Sequence, residues 1–262
     1  ILPSPLVVTS PADTILEGDT ATLTGSASGG TSPYTYSWTP AGSLANPASS
    51  TTLAWPGTTT TYTLEVTGSN GCVSSASTLI QVVPVHIVSG RLKYKNTQYS
   101  GVSNAWLYYT RTSNGATDSL LTGSNGVFNL RVEQGNYSIH FGIPKAWGGG
   151  NATDALNIAR HAAFYTQLET FNYKAADVNL SGAVNATDAL WVMRRFVGQV
   201  NYFPAGNWIS ESWTDQSVSQ DFQHDFMTLC YGDVDGSNVP GKDAPDHVTL
   251  SYAEDVVYAW NM

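Results

Sequence analysis

Cysteine is nearly absent: the 262 residues contain only Cys72 and Cys230. They lie in different segments and form no metal-binding spacing, so neither a disulfide framework nor a zinc site follows from them. Positive charge is also scarce, with 11 Lys and Arg against 20 Asp and Glu and a formal net charge of −9. A chain of that sign repels a phosphate backbone and an anionic membrane surface, so nucleic acid is not an expected partner. No apolar run approaches the roughly 18 to 20 residues that span a bilayer, which argues against membrane insertion. No signal peptide is visible, and the chain opens at Ile1 rather than Met, as an excised or processed fragment would. The five histidines, His86, His140, His161, His224 and His247, stand in no H-E-x-x-H arrangement. No G-x-S-x-G and no Gly-rich phosphate loop sits between a strand and a helix. Catalysis is therefore not expected. Paired carboxylates for glycoside cleavage stay open in principle because their pairing is spatial, but the acids that cluster here are accounted for by the cation-binding spacing described below.

What is present is β-rich. Residues 1–84 alternate, as in TATLTGSASG and TTTYTLEVTG, with turn residues every eight to twelve positions, which predicts a sandwich of short strands. YTYSW (34–38) and TYTLEVTGSNGC resemble a PKD-type immunoglobulin-like domain, carried by Trp38 and by Tyr62, Leu64 and Val66. In such a domain Trp38 is a core anchor, with a sugar-stacking platform as the alternative. Pro84 fixes an extended junction. Residues 85–141 contain GVFNLRV and EQGNYSIHFG, with turn signals at 124–126 and 133–135. This segment resembles the regulatory-type sandwich of carboxypeptidase accessory domains and collagen-adhesin B repeats. Some relatives form a Lys–Asn isopeptide crosslink, for which Lys93 and Asn129 are the residues at hand, against a plain role as exposed strand residues.

From 142 the period changes. DALNIARHAAFY (154–165) and DALWVMRRFVGQV (188–200) place Leu156, Ala159 and Ala163, and Leu190, Met193 and Val197, at helical spacing, and each helix opens with a Thr-Asp capping pair. A further short helix is expected near 221–230. Counting from Asp177, oxygen-bearing side chains fall at positions 1, 3 and 5 (Asp177, Asn179, Ser181), Gly182 takes position 6, Asn185 position 9 and Asp188 position 12, with the Ala183 carbonyl at 7. Alternate residues of a tight turn aim inward around a hard cation, the glycine permits the bend, and the last carboxylate sits on the exiting helix: this is the spacing of an EF-hand-type calcium loop.

The same residues resemble the dockerin type I domain, whose duplicated halves read D-x-N-x-D/S-G-x-V-N-A-x-D-A-L. One half, 177–197, is intact. The other departs from the pattern, because WGGGNATDAL supplies only Asp154 and Asn151. Downstream, YGDVDGSNVPG (231–241) repeats the front spacing through Asp233, Asp235 and Ser237, with Val239 at the carbonyl position, but no helix follows. The expectation is one contiguous Ca2+ site and a second site assembled from Asp154 with Asp233, Asp235, Ser237 and Val239. The alternative is an Asp-Gly turn that binds nothing.

The fold expected is multi-domain and mainly β: a sandwich over 1–84, a second over 85–141, a small α-helical dockerin-like domain over 142–247, and the start of a further module or a tail over 248–262. This combination resembles large secreted, type IX-exported surface proteins of Bacteroidota. The resemblance implies a secreted or cell-surface, calcium-stabilised, non-catalytic spacer or adhesion module. Its partners would be other domains of the same protein, a cohesin-like protein, the secretion machinery or extracellular carbohydrate. The rival readings are a true dockerin and the accessory region of a secreted polysaccharide- or protein-degrading hydrolase. Trp106, Trp147, Trp191, Trp208 and Trp213, with Tyr108, Tyr109 and Tyr202, would form either a sugar-stacking face or the packing between modules.

Overall fold

The computed structural model describes residues 6–240. The expected further module over 248–262 falls outside them. Contacts divide the described residues into two compact units, the residues up to His86 with Val132–Gln134, and Ile87–Arg131 with the residues from Gly135 onward.

The first unit carries seven strands: β1 (Leu6–Thr9), β2 (Asp13–Leu16), β3 (Ala21–Ser28), β4 (Tyr34–Thr39), β5 (Thr51–Ala54), β6 (Thr60–Gly68) and β7 (Val73–Val83). They form a three-stranded sheet ordered β1-β3-β5 and a four-stranded sheet ordered β2-β7-β6-β4. Alternation along β6 sends Tyr62, Leu64 and Val66 inward, where they meet Trp38 of β4, Leu23 of β3 and Ile80 of β7. Trp38 is buried and its indole N–H donates to the Ser49 carbonyl at 3.0 Å, so this ring serves the core.

Lying mostly in the second unit, β8 (Val85–Tyr94), β9 (Trp106–Arg111), β10 (Thr117–Leu121), β11 (Val127–Glu133) and β12 (Gly135–Gly142) precede three helices: α1 (Ala152–Ala162), α2 (Thr170–Ala176) and α3 (Ala186–Phe196). Four strands then follow, β13 (Trp208–Ser210), β14 (Trp213–Val218), β15 (Phe222–Gln223) and β16 (Phe226–Cys230). The helix expected near 221–230 is thus two strands. The physical reason is non-local pairing: β16 lies parallel to β8 with Phe226 opposite Leu92 and Thr228 opposite Tyr94, and β15 also pairs with β8. The sheets are ordered β10-β9-β12-β14 and β11-β8-β16-β13. The late strands therefore belong to the same sheets as the strands of 85–142, and the helices are a long insertion between β12 and β13.

The helices have their own core of Ala155, Ile158, Ala176, Val178, Val184, Ala189, Val192, Phe203 and Val234. Of the residues placed at helical spacing by the sequence, Ala159 packs against this core but the larger side chains do not. Leu156 and Leu190 are each 48% exposed, and Met193 and Val197 also face solvent, while Ala155, Ile158, Ala189 and Val192 point inward. The two capping acids decide the rotation: Asp154 and Asp188 are buried at the third helical position, so the residue that follows each of them, and the one a turn later, must turn inward too.

Candidate metal centre

Residues 177–188 form a hydrogen-bonded turn that leads into α3. The Ser181 amide donates to Asp177 Oδ1 and to Asn179 Oδ1, each at 2.9 Å, and the Gly182 amide donates to Asp177 Oδ2 at 2.9 Å. Ser181 Oγ and Asn185 Nδ2 both donate to the Ala183 carbonyl, at 2.9 and 3.1 Å. Asn185 then caps α3: its Oδ1 accepts from the Thr187 amide at 2.8 Å, and its own amide donates to Asp188 Oδ2 at 3.0 Å. The cap is thus Asn185, with Asp188 completing the capping box, rather than the Thr-Asp pair itself. Asp188 is fully buried, and its Oδ1 makes no hydrogen bond of normal geometry. Burial raises its pKa, opposed mainly by the Asn185 amide. The backbone amides of Asn179 and Val178 act on the same carboxylate, and a buried carboxylate closing a loop whose side chains carry oxygen acceptors, with no Cys or His among them, fits a hard divalent cation.

The second cluster reproduces this pattern from segments far apart in the chain. The Ser237 amide donates to Asp233 Oδ1 and to Asp235 Oδ1, each at 2.9 Å, and the Asn238 amide donates to Asp233 Oδ2 at 3.0 Å. Asn151 caps α1 as Asn185 caps α3, with its Oδ1 accepting from Thr153 at 2.7 Å and its amide donating to Asp154 Oδ2 at 3.0 Å. The two strings are closed by Asp154, whose Oδ1 accepts from the amides of Val234 at 2.8 Å and Asp235 at 3.0 Å. One oxygen from each of Asp154, Asp233 and Asp235 lies within 4.8 Å of the others.

One assignment changes. The carbonyl that receives the Ser237 hydroxyl, at 3.2 Å, and the Asn151 side-chain amide, at 2.8 Å, is that of Gly149. It stands where Ala183 stands in the contiguous loop. Val239, expected in this role, is 41% exposed, and the carbonyl just before it, that of Asn238, accepts instead from Asn96 Nδ2 at 3.2 Å. The chain changes segments between positions 6 and 7 of the loop pattern. Gly149 sits at φ +87°, and a Cβ there would lie 2.1 Å from Asp233 Oδ2, so only glycine brings its carbonyl so close to the acids.

Electrostatics make the second cluster the more charged of the two. Asp154 and Asp233 are fully buried. Burial, then the charges of Asp233 and Asp235, push Asp154 up to about 7, and burial also raises Asp233. In chelator the folded protein therefore keeps a proton on Asp154 that the unfolded chain releases near 3.8. Stability should fall as pH rises from about 4 to about 7, by at most about 1.4 kcal/mol per unit for one proton. Melting curves in EDTA across that interval check the sign.

Two residues that shape this region, Tyr94 and Arg195, carry no local sequence signal. Tyr94, buried at the end of β8, donates its hydroxyl to Asp233 Oδ2 and accepts from the Cys230 amide at 3.1 Å. Arg195 of α3 lies over the rings of Trp147, at 4.2 Å, and Phe203, at 4.5 Å. Its Nη2 donates to Asn207 Oδ1 at 2.6 Å, and burial lowers its pKa to about 10. Trp147 in turn donates to the Tyr231 carbonyl at 2.6 Å, which holds the glycine segment 148–150 against the turn that begins at Tyr231. Among the other aromatics, Trp208 packs edge-on against Tyr94, Trp213 stacks on Phe222, and Trp191 packs against the helical core. Trp106 and Tyr108 stay with His140 in a stack on the sheet. Lys93 forms an ion pair with Asp225, and Asn129 is exposed on β11.

No helix among the described residues is long and apolar enough to cross a membrane. No curated protein matches the chain. Solved structures with local likeness include the TIE protein of Bacillus anthracis (13% identity over 55% of this chain and 36% of that chain, TM-score 0.23). The major pilin subunit of Bacillus cereus gives 13% identity over 55% and 49%, with a TM-score of 0.24. The three N-terminal domains of the outer capsid protein Hoc of bacteriophage RB49 give 13% over 52% and 61%, with a TM-score of 0.28. The chain spans 36 to 61% of the length of these structures, and scores this low identify neither a family nor a function. The dockerin type I domain model matches residues 151–197, from the cap of α1 to the end of α3, so the helical part of the chain is similar to that family.

Proposed function

We propose that the chain is a calcium-stabilised, non-catalytic module of a secreted or surface-displayed bacterial protein, a spacer or adhesion region holding two Ca2+ ions. One ion would be held by Asp177, Asn179, Ser181, the Ala183 carbonyl, Asn185 and Asp188. The other would be held by Asp233, Asp235, Ser237, the Gly149 carbonyl, Asn151 and Asp154. The observation that carries this reading is the hydrogen-bond pattern shared by the two sets, in which amides orient the front acids and a capping Asn and a buried Asp close the back. Dockerin type I domains bind calcium, and the family match covers the back half of one set and all of the other. When bound, the ion supplies positive charge that offsets the mutual repulsion of the clustered carboxylates, so binding and folding are coupled. Sites of this kind suit millimolar extracellular calcium.

The domain limits that accompany this reading are a sandwich over 1–84 and a second sandwich begun by 85–141 and completed by 208–230, with the helical unit inserted in it. Export through the type IX pathway of Bacteroidota rests on the sequence resemblance.

Isothermal titration of metal-stripped protein should find two calcium ions per chain, and EDTA should lower the melting temperature. Protons compete for the same acids, so affinity should rise with pH up to about 7, the value set by burial of Asp154. A purified protein free of metal, with a melting temperature indifferent to EDTA, overturns the proposal.

A second reading, docking onto a cohesin-like partner, is favoured by one feature. Leu156 and Leu190 occupy equivalent positions on α1 and α3 and are both exposed, with Phe196 and Val197 exposed at the end of α3. Solvent-facing apolar side chains at matched positions suit a protein surface. Calcium-dependent capture of a cohesin domain, lost in Leu190→Asp, tests it.

A further inference from the structure

We propose that Tyr94 is a positioning residue that couples calcium binding at the discontinuous site to the stability of the β-sandwich; this rests on the two-ion reading above. The two sites differ in what they fasten. Every group of the contiguous loop lies between Asp177 and Asp188, so an ion there fixes one loop to one helix. The discontinuous set joins the entry of the helical insertion, at Gly149–Asp154, to the segment that follows the last strand, at Asp233–Ser237. An ion shared by those two segments closes the insertion at its base.

Tyr94 extends that closure into the sandwich. Its ring is fully buried and packs edge-on against Trp208 of β13, with centroids 5.6 Å apart. Its hydroxyl bridges two groups on one stretch of chain, donating to Asp233 and accepting from the Cys230 amide at the end of β16. β16 itself pairs with β8, the strand that carries Tyr94. Asp177, the equivalent front acid, accepts backbone amides from Ser181 and Gly182; its charge is felt by Tyr231, just after β16, but among the described residues no sheet side chain donates a hydrogen bond to it. A hydroxyl donated to one oxygen of a metal-binding carboxylate fixes its rotamer and leaves the other oxygen to face the cation. Linkage then requires reciprocity: whatever Tyr94 adds to calcium affinity, bound calcium adds to the stability of the sheets that hold Tyr94.

The test is calcium titration and thermal melting of the whole chain, wild type against Tyr94→Phe, with calcium and with EDTA. Tyr94→Phe keeps the ring against Trp208 and removes the hydroxyl. It should still bind two ions, one of them about 10- to 100-fold more weakly, as is usual when a partner of a metal ligand is lost. Its melting temperature should lie below wild type in calcium and approach wild type in EDTA. Unchanged affinities, or the same melting deficit in both buffers, would mean that the hydroxyl serves packing alone and would overturn the proposal while leaving the two-ion reading intact. Wild-type protein that binds no calcium overturns both. If Tyr94→Phe does not fold, amide exchange at Cys230 decides: calcium should slow it in wild type and leave it unchanged in Asp235→Asn. A Cys230 amide indifferent to calcium in wild type sinks the coupling.

Discussion

Asp154→Ala should reduce calcium binding from two ions per chain to one and lower stability in calcium by about 3 to 5 kcal/mol, the range for breaking a buried, charged hydrogen-bond network. Its carboxylate accepts the amides of Asn151, Val234 and Asp235. Alanine leaves those donors facing a small void, and each unsatisfied buried donor costs about 1 to 3 kcal/mol. The metal-free protein responds differently. There the carboxylate is itself a liability, raised to about 7 by burial and by the charges of Asp233 and Asp235. Removing it relieves that repulsion, so the deficit in EDTA near neutral pH should be smaller than in calcium. Asp154→Asn separates the two contributions, since it keeps an acceptor oxygen and removes the charge. It should lose the ion and retain most of the stability measured in EDTA. Paired denaturant titrations with and without calcium, together with ion counts, check this. An Asp154→Ala protein that still holds two ions excludes the discontinuous site.

The reach of sequence reading is visible in the same residues. The contiguous loop was legible because its ligands are letters at fixed intervals, and Asp233, Asp235 and Ser237 were recognisable because they keep the intervals of Asp177, Asn179 and Ser181. The seventh position was not, since any residue supplies a carbonyl. Counting onward along one segment reached Val239, whereas the folded chain crosses to Gly149. Helix existence followed from period, but helix rotation did not: Ala155 and Ala189 carry little hydrophobic signal beside Leu156 and Leu190, and the buried Asp154 and Asp188 override the preference of leucine for the interior. The segment 221–230 resembles a helix because Phe222, Phe226 and Leu229 recur at helical spacing. Its strands are dictated by β8, more than a hundred residues away, and no window of local sequence contains that partner. Tyr94 and Arg195 were missed for the same reason, since each acts only through residues distant in the chain.

Two glycines with nearly the same backbone should respond very differently to alanine. Gly149 has φ +87° and Gly182 has φ +81°, so both substitutions incur the left-handed penalty of about 1 to 2 kcal/mol. For Gly182→Ala that is the main consequence, because nothing lies within 4 Å of the new Cβ. Gly149→Ala places a methyl 2.1 Å from Asp233 Oδ2 and 2.7 Å from the Cβ of Asn238. Asp233 has little freedom to yield: it is buried and holds the Tyr94 hydroxyl together with the amides of Ser237 and Asn238. Either the carboxylate breaks those bonds or the segment carrying the Gly149 carbonyl moves away, and both dismantle the discontinuous set. The expected loss exceeds about 3 kcal/mol, the strain of overpacking added to the backbone penalty. One calcium ion should be lost with it, whereas Gly182→Ala should keep the discontinuous site filled. Melting temperatures and ion counts of the two variants, measured side by side, decide the matter. Equal shifts would show that Gly149 is held by its backbone angle alone and that its carbonyl has no place among the acids.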